Sequence, residues 1–198
     1  MKFKKTSKPI RQSKFKAPFH FALSRDEWRS RLKVAWFIDG YVYATTGEIL
    51  VKQSLINFHG LTEKEAEMLN GKCLSAYKLK IMWDAMEIVF EPDQIKVVTK
   101  QGIKLRFDYD EQPDRPYSFD EVLNIKRDED FVGIPAIGMN PHNLIKLHKA
   151  MGANYFLHLH FCAQRKAILA VDGNNDRGNL GLIMPVMMEE NSYNPFNG

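Results

Sequence analysis

Cysteine is nearly absent from this chain: 198 residues hold two, Cys73 and Cys162. Two thiols build no disulfide framework, which excludes a stapled secreted scaffold and leads us to expect a reducing, cytoplasmic setting. Long apolar runs are missing too. The longest, Ala167 to Val171 and Leu180 to Met188, fall far short of the roughly 20 residues that a membrane-spanning helix needs. The N-terminal residues are basic but lead into no apolar stretch or small-residue cleavage site, so no secretory signal is read. Catalytic signatures are equally scarce. There is no Gly-rich phosphate loop with Lys and Ser/Thr, no Gly-x-Ser-x-Gly elbow and no His-Glu-x-x-His helix. The expectation is a non-enzymatic protein with no cofactor and no membrane among its partners.

Acids are absent from the first 18 residues, where seven cations stand: Lys2, Lys4, Lys5, Lys8, Arg11, Lys14 and Lys16. The net charge of +4 therefore divides into a tail of +7 and a body of about −3. With Pro9, Pro18 and no apolar periodicity, residues 1–18 read as a flexible basic tail. Lys4, Lys5 and Arg11 suit phosphate contacts through counterion release, with Phe3 and Phe15 interleaved as stacking groups. A solvated arm is the bland alternative.

What is present is a succession of strands with a few short, well-capped helices. The spacing predicts a short extended run at Phe19 to Leu23. Ser24-Arg25-Asp26-Glu27 reads as a capping box opening a helix through Leu32. Val34 to Ile38 and Tyr41 to Ala44 flank Asp39-Gly40, the dipeptide of a tight hairpin. A third strand is expected over Ile49 to Phe58. Thr62-Glu63-Lys64-Glu65 is a second capping box, for a helix closed by Asn70-Gly71.

One order of elements then occurs twice. Lys72 to Ala76 is extended, Tyr77 to Ala85 has Leu79, Met82, Trp83 and Met86 at helical spacing, and strands follow at Met86 to Glu91, Gln94 to Thr99 and Ile103 to Tyr109. Later, Gly133 to Met139 is extended, Asn140 caps a helix that carries Pro141 in its first turn and ends at Gly152, and strands follow at Tyr155 to Ala163, Lys166 to Val171 and Leu180 to Glu189. Residues 110–130, rich in proline and charge, separate the copies.

Two segments far apart in the chain carry a resemblance: Tyr43-Ala44-Thr45-Thr46-Gly47-Glu48-Ile49-Leu50 and Gly181-Leu182-Ile183-Met184-Pro185-Val186-Met187. Together with Ser24 to Arg29 and Gly138-Met139-Asn140-Pro141, they resemble signature stretches of the bacterial sliding clamp, the beta subunit of the replicative DNA polymerase. Thr46, Glu48 and Ile49 depart from the Asp, His and Arg of the family's first motif. The resemblance implies an α+β, DNA-clamp-like fold of repeated strand-helix-three-strand units, with antiparallel sheets and short inner helices. It divides the chain into a basic tail (1–18), a clamp-like region of one and a half units (19–110), a linker (111–130), a closing unit (131–190) and a terminal tail (191–198). A shortened relative of the kind a phage or mobile element carries is expected, closing a ring only as a homo-oligomer.

The resemblance also implies sites and partners. Leu50, Leu182, Met184, Pro185 and Val186, with Pro135 as a weaker match, would form an exposed hydrophobic pocket for a short linear peptide of a polymerase or another replication or repair protein. Met suits a surface that accepts varied shapes, and Pro185 suits a terminating strand; an ordinary core strand is the alternative. Non-specific double-stranded DNA is the second expected partner. Here the residues themselves contribute, because His142, Lys146 and Lys149 share one face of the 141–151 helix while Leu144, Leu147, His148 and Met151 form another. Lys78 and Lys80 would play the same part in the preceding unit, with Arg25, Arg29 and Arg31 a weaker set, and such contacts carry no sequence information.

One constellation points instead to chemistry. His158, His160 and Cys162 alternate along a strand and so share a face, and imidazole and thiolate are zinc ligands, which makes a small zinc-dependent hydrolase the competing reading. Ligands two apart on a strand sit roughly 7 Å from each other at Cα, and no fourth donor is evident. Asp172, Asn174 and Asp176 have the spacing of a calcium loop, but Ile183 stands where its glutamate belongs. A non-encircling adaptor or inhibitor with a clamp-like fold is the other alternative.

Overall fold

The computed structural model describes residues 14–26, 28–113, 118–123, 137–152, 157–161, 167–172 and 178–186. Lys4, Lys5, Arg11, Pro135 and Cys162, and most of the 172–178 turn, lie outside them.

The first hairpin follows from its turn. Asp39 and Gly40 both take positive φ, 48° and 78°, which returns β1 (Val34–Ile38) into β2 (Tyr41–Thr45) in the right-handed twist of the sheet. β3 (Ile49–Ser54) pairs with β2. It stops four residues earlier than its apolar run predicts, because Leu55–His59 winds into a π turn whose start is held by the Ser54 side chain accepting from Asn57 N–H. Both halves of the second capping box form at Thr62 and Glu65, opening α1 (Glu63–Leu69). β4 (Cys73–Ser75) leads to α2 (Ala76–Trp83), followed by the meander β5 (Ala85–Phe90), β6 (Gln94–Thr99) and β7 (Lys104–Asp108). After α3 (Phe119–Leu123) comes α4 (Pro141–Met151), capped by the Asn140 side chain and closed by Gly152 in the left-handed conformation. β8 (Leu157–His160), β9 (Ile168–Asp172) and β10 (Asn179–Ile183) complete the described elements.

The sheets are antiparallel. One has the order β4-β1-β2-β3-β10-β9-β8, so strands from the two ends of the sequence meet at β3 and β10; the other is β5-β6-β7. The larger sheet is apolar on both faces. Ala35, Phe37, Val42, Ala44, Ile49 and Val51 point to the main core with α2 and α4, while Val34, Trp36, Tyr43, Leu50 and Leu182 point to a smaller cluster on the opposite face. With both faces covered, the strands read as nearly continuous apolar runs.

Helix α4 lies close on the sheet because residue 181 has no side chain. A Cβ there would stand 2.6 Å from Met151 Sδ and 2.8 Å from Leu147 Cδ1, both on fully buried residues. The C-terminal turn of α4 is then tied to the strands by a buried polar pair. Asn179 Nδ2 donates to Met151 O (2.8 Å), and Gln53 Nε2 donates to Ala150 O (3.1 Å) and Asn179 Oδ1 (2.9 Å). These donors satisfy carbonyls that a helix end leaves without partners.

Three expectations need correction. Phe19–Ala22 is a 3-10 turn, not extended, because Phe19 is drawn into the core between Phe15 and Phe37. Among the described residues the Ser24 box opens no α-helix: its hydroxyl accepts from Asp26 N–H at 3.1 Å in a local turn, and Ser30–Leu32 is a 3-10 turn. The basic tail ends sooner than residue 18. Phe15 and Ala17 are buried, and Lys16 N–H donates to His59 Nδ1 at 3.0 Å, so this stretch belongs to the folded body.

Candidate functional site

The two marker segments are brought together. Leu50 and Leu182 are direct partners in the β3–β10 ladder, on the face opposite α2 and α4. The strand end continues beyond them, with Met184 N–H donating to Glu48 O and Val186 N–H to Gly138 O, both at 2.8 Å. Met184 and Val186 are 44% and 51% exposed, and Pro185 between them is half-buried.

The expected open groove is not what the leucines line. Leu50 and Leu182 are 3% and 2% exposed, sealed in a cluster with Trp36, Tyr43 and Phe119. Phe119 comes from α3, and its ring stacks on Tyr43 with centroids 4.4 Å apart and planes at 21°. Read from sequence, this stretch is linker. The signal that identifies it is the i, i+3, i+4 spacing of Phe119, Val122 and Leu123 within a charged segment, all three of which join the cluster.

The departures in the first motif have local work. Thr46 Oγ1 accepts from Glu48 N–H and Ile49 N–H, and Thr45 Oγ1 accepts from Gly47 N–H while donating to Ile49 O. Two hydroxyls therefore satisfy a tight turn from within. Glu48 Oε2 accepts from Asn143 Nδ2 at 2.9 Å, fastening that turn to α4.

On the helix side of the sheet a cleft of about 780 Å³ runs between α2, α4 and the 20–29 segment. Its lining holds five cations, Arg25, Arg29, Lys80, Lys146 and Lys149, against two acids, Asp26 and Glu48. Both acids are engaged, Asp26 with Arg29 Nε at 3.5 Å and Glu48 with Asn143. Among the described residues, no carboxylate lies within ion-pair distance of Arg25, Lys80, Lys146 or Lys149. His142, Lys146 and Lys149 are exposed along α4 in the expected stripe. Lys78 departs from expectation. Its Nζ donates to Asp108 O (2.7 Å) and pairs with Asp110 Oδ1 (2.9 Å), which turns it away from Lys80 and neutralises it. Lys78 is a brace between α2 and the end of β7.

His158 and His160 stand exposed on the edge strand, with ring centroids 6.5 Å apart. Their third sequence partner, Cys162, lies outside the described residues, and among the described residues no three His, Cys, Asp or Glu side chains gather as for a metal. Cys73 is buried, and burial with the nearby Asp110 charge pushes its thiol up to about 12, far from thiolate chemistry. Among the described residues no helix is long and apolar enough to cross a membrane.

No protein-family model matches the chain, and no curated protein matches it. Solved structures do. The sliding clamp of Bartonella birtlesii, DNA polymerase III subunit beta bound to griselimycin, superposes with a TM-score of 0.59 at 13% identity, covering 89% of this chain and 64% of that one. The beta sliding clamp of C. crescentus gives 0.60 at 15% identity over 94% of this chain and 68% of that one. The DNA polymerase sliding clamp of Pseudomonas aeruginosa gives 0.58 at 15% identity, over 90% and 66%. The chain thus spans about two thirds of these proteins' length, and at this identity the likeness is one of fold. The architecture is α+β and clamp-like.

Proposed function

We propose that this protein is a sliding-clamp-like docking factor that holds a partner protein at DNA without a chemical step. The observation that carries the reading is the division of labour across one sheet. Cationic helices α2 and α4 lie on one side, Leu50 and Leu182 lie on the other, and the chain runs on from β10 into the exposed Met184 and Val186. Duplex DNA would rest on Lys80, His142, Lys146 and Lys149 through phosphates alone, with Lys78 as a brace. A polymerase or other replication or repair protein would bring a short apolar peptide to Met184, Pro185 and Val186, with Leu50 and Leu182 as the floor beneath Phe119. Tethering of this kind raises the partner's effective concentration at DNA.

Encirclement would require self-assembly, since the chain offers about three half-domain units, as in a shortened phage or mobile-element relative. The experiment is capture on circular duplex DNA. Retention on the circle, release after linearisation and an oligomer by light scattering support the clamp. A strict monomer with and without DNA that still binds the apolar peptide overturns encirclement and leaves a non-encircling adaptor.

A further inference from the structure

We infer that the cleft between α2, α4 and the 20–29 segment is a binding site for a single strand of nucleic acid. The first observation is charge without a carboxylate partner among the described residues. Arg25, Lys80, Lys146 and Lys149 line one concave surface, and both carboxylates of the lining are held by other groups. A polyanion is the ligand that completes such a surface.

The second observation is aromatic. Tyr77, the second residue of α2, is 71% exposed at the cleft, three residues before Lys80 on the same helix. Phe21 stands 37% exposed on the far wall, packed against the His20 ring at a centroid distance of 4.6 Å and with Lys149 Nζ 5.8 Å from its own, so Tyr77 is the more open ring. An exposed aromatic ring beside phosphate-binding cations is a platform on which a base can stack. Unpaired bases do so in any sequence, because every base has a π-face. A duplex cannot use these rings, because its bases are already stacked on one another. The cleft therefore favours a single strand by stacking, while the phosphates of either form can lie on its cations. This site lies on the helix surface already proposed to face DNA, but its ligand and its key residue, Tyr77, are different, and it stands without encirclement.

The strand can be DNA or RNA, since phosphates and base faces are common to both. The test measures binding of a fluorescent oligo(dT), the matching oligo(rU) and a duplex of equal length to the full chain, each across a salt series. Four phosphate contacts predict a single-strand slope of log K against log salt of about −3, falling by about 1.4 in Lys80→Ala/Lys146→Ala. Tyr77→Ala, at an exposed position, should weaken single-strand binding by roughly five- to a hundred-fold. It should leave the salt slope and duplex binding unchanged, and Tyr77→Phe should retain affinity. The tighter of oligo(dT) and oligo(rU) identifies the source. No binding of either, or equal loss of single-strand and duplex binding in Tyr77→Ala, would overturn the assignment. Failure of circular capture would overturn encirclement alone.

Discussion

Acidification should loosen this protein through one side chain, His59. The ring is 3% exposed, packed edge-on by Phe15 and Phe19 at centroid distances of 5.3 and 5.6 Å, with Nδ1 accepting from Lys16 N–H. Burial, and after it the Lys16 charge, lowers the imidazole from its ordinary 6.5 to about 3. Between those values the unfolded chain takes up a proton that the fold refuses, so stability rises with pH through this window and is lost as pH falls from 6.5. Each pH unit below 6.5 costs about 1.4 kcal/mol, or about 2 kcal/mol by about pH 5. For a chain of this size that lowers Tm by roughly 4–8 °C. The assay is thermal unfolding of wild type and His59→Gln at neutral pH and at about pH 5. The variant lacks the titrating ring, so its acid-induced loss should be smaller by the same 4–8 °C, while the carboxylates contribute equally to both. Identical pH dependence of the two proteins would refute a buried neutral His59. Protonation also removes the acceptor for Lys16 N–H, so proteolysis around residues 14–18 should quicken in acid before global unfolding begins.

Asn179→Ala removes two buried hydrogen bonds and leaves Met151 O without its donor, which should cost about 2–4 kcal/mol and lower Tm by roughly 4–16 °C; a loss below about 1 kcal/mol would mean that α4 is held by packing alone. Phe119→Ala should cost about 3 kcal/mol by emptying the cluster over Leu50 and Leu182, read by urea unfolding. If those leucines are the docking floor, the same variant binds an apolar peptide more tightly, and weaker binding would remove them from the site. Met184→Asp, at an exposed position, should change stability by less than about 0.5 kcal/mol but weaken peptide binding tenfold or more, with DNA binding unaltered; peptide titration by fluorescence anisotropy checks both.

Turns and caps were the most legible features of the chain, because their chemistry is local. Asp39-Gly40 closes the hairpin as its composition demands, Thr62 and Glu65 cap each other, and Asn140, Pro141 and Gly152 bound α4 to the residue. Strand lengths were less so. The apolar run from Ile49 to Phe58 continues past the strand, and only the Ser54 cap and the packing of Leu55 and Phe58 bend it into a π turn. The Ser24 box failed for the complementary reason: its hydroxyl satisfies Asp26 N–H in a turn, and among the described residues no α-helix follows to use the cap.

The site divides along the same line. By itself the sequence determined which residues are apolar, cationic or capping, and so the stripe of His142, Lys146 and Lys149 and the apolar character of the Leu50 and Leu182 segments, since side-chain period and charge are properties of neighbours along the chain. Tertiary structure alone decided which of them are available. Leu50 and Leu182 meet because β3 and β10 pair across more than a hundred residues of chain, and they are hidden because α3 folds Phe119 over them. Lys78 is withdrawn by Asp110, while Tyr77 beside it is left in water at the mouth of a basic cleft. Pairing and burial depend on distances that chain order does not encode, and these distances separate a core residue from a docking one and a brace from a phosphate contact.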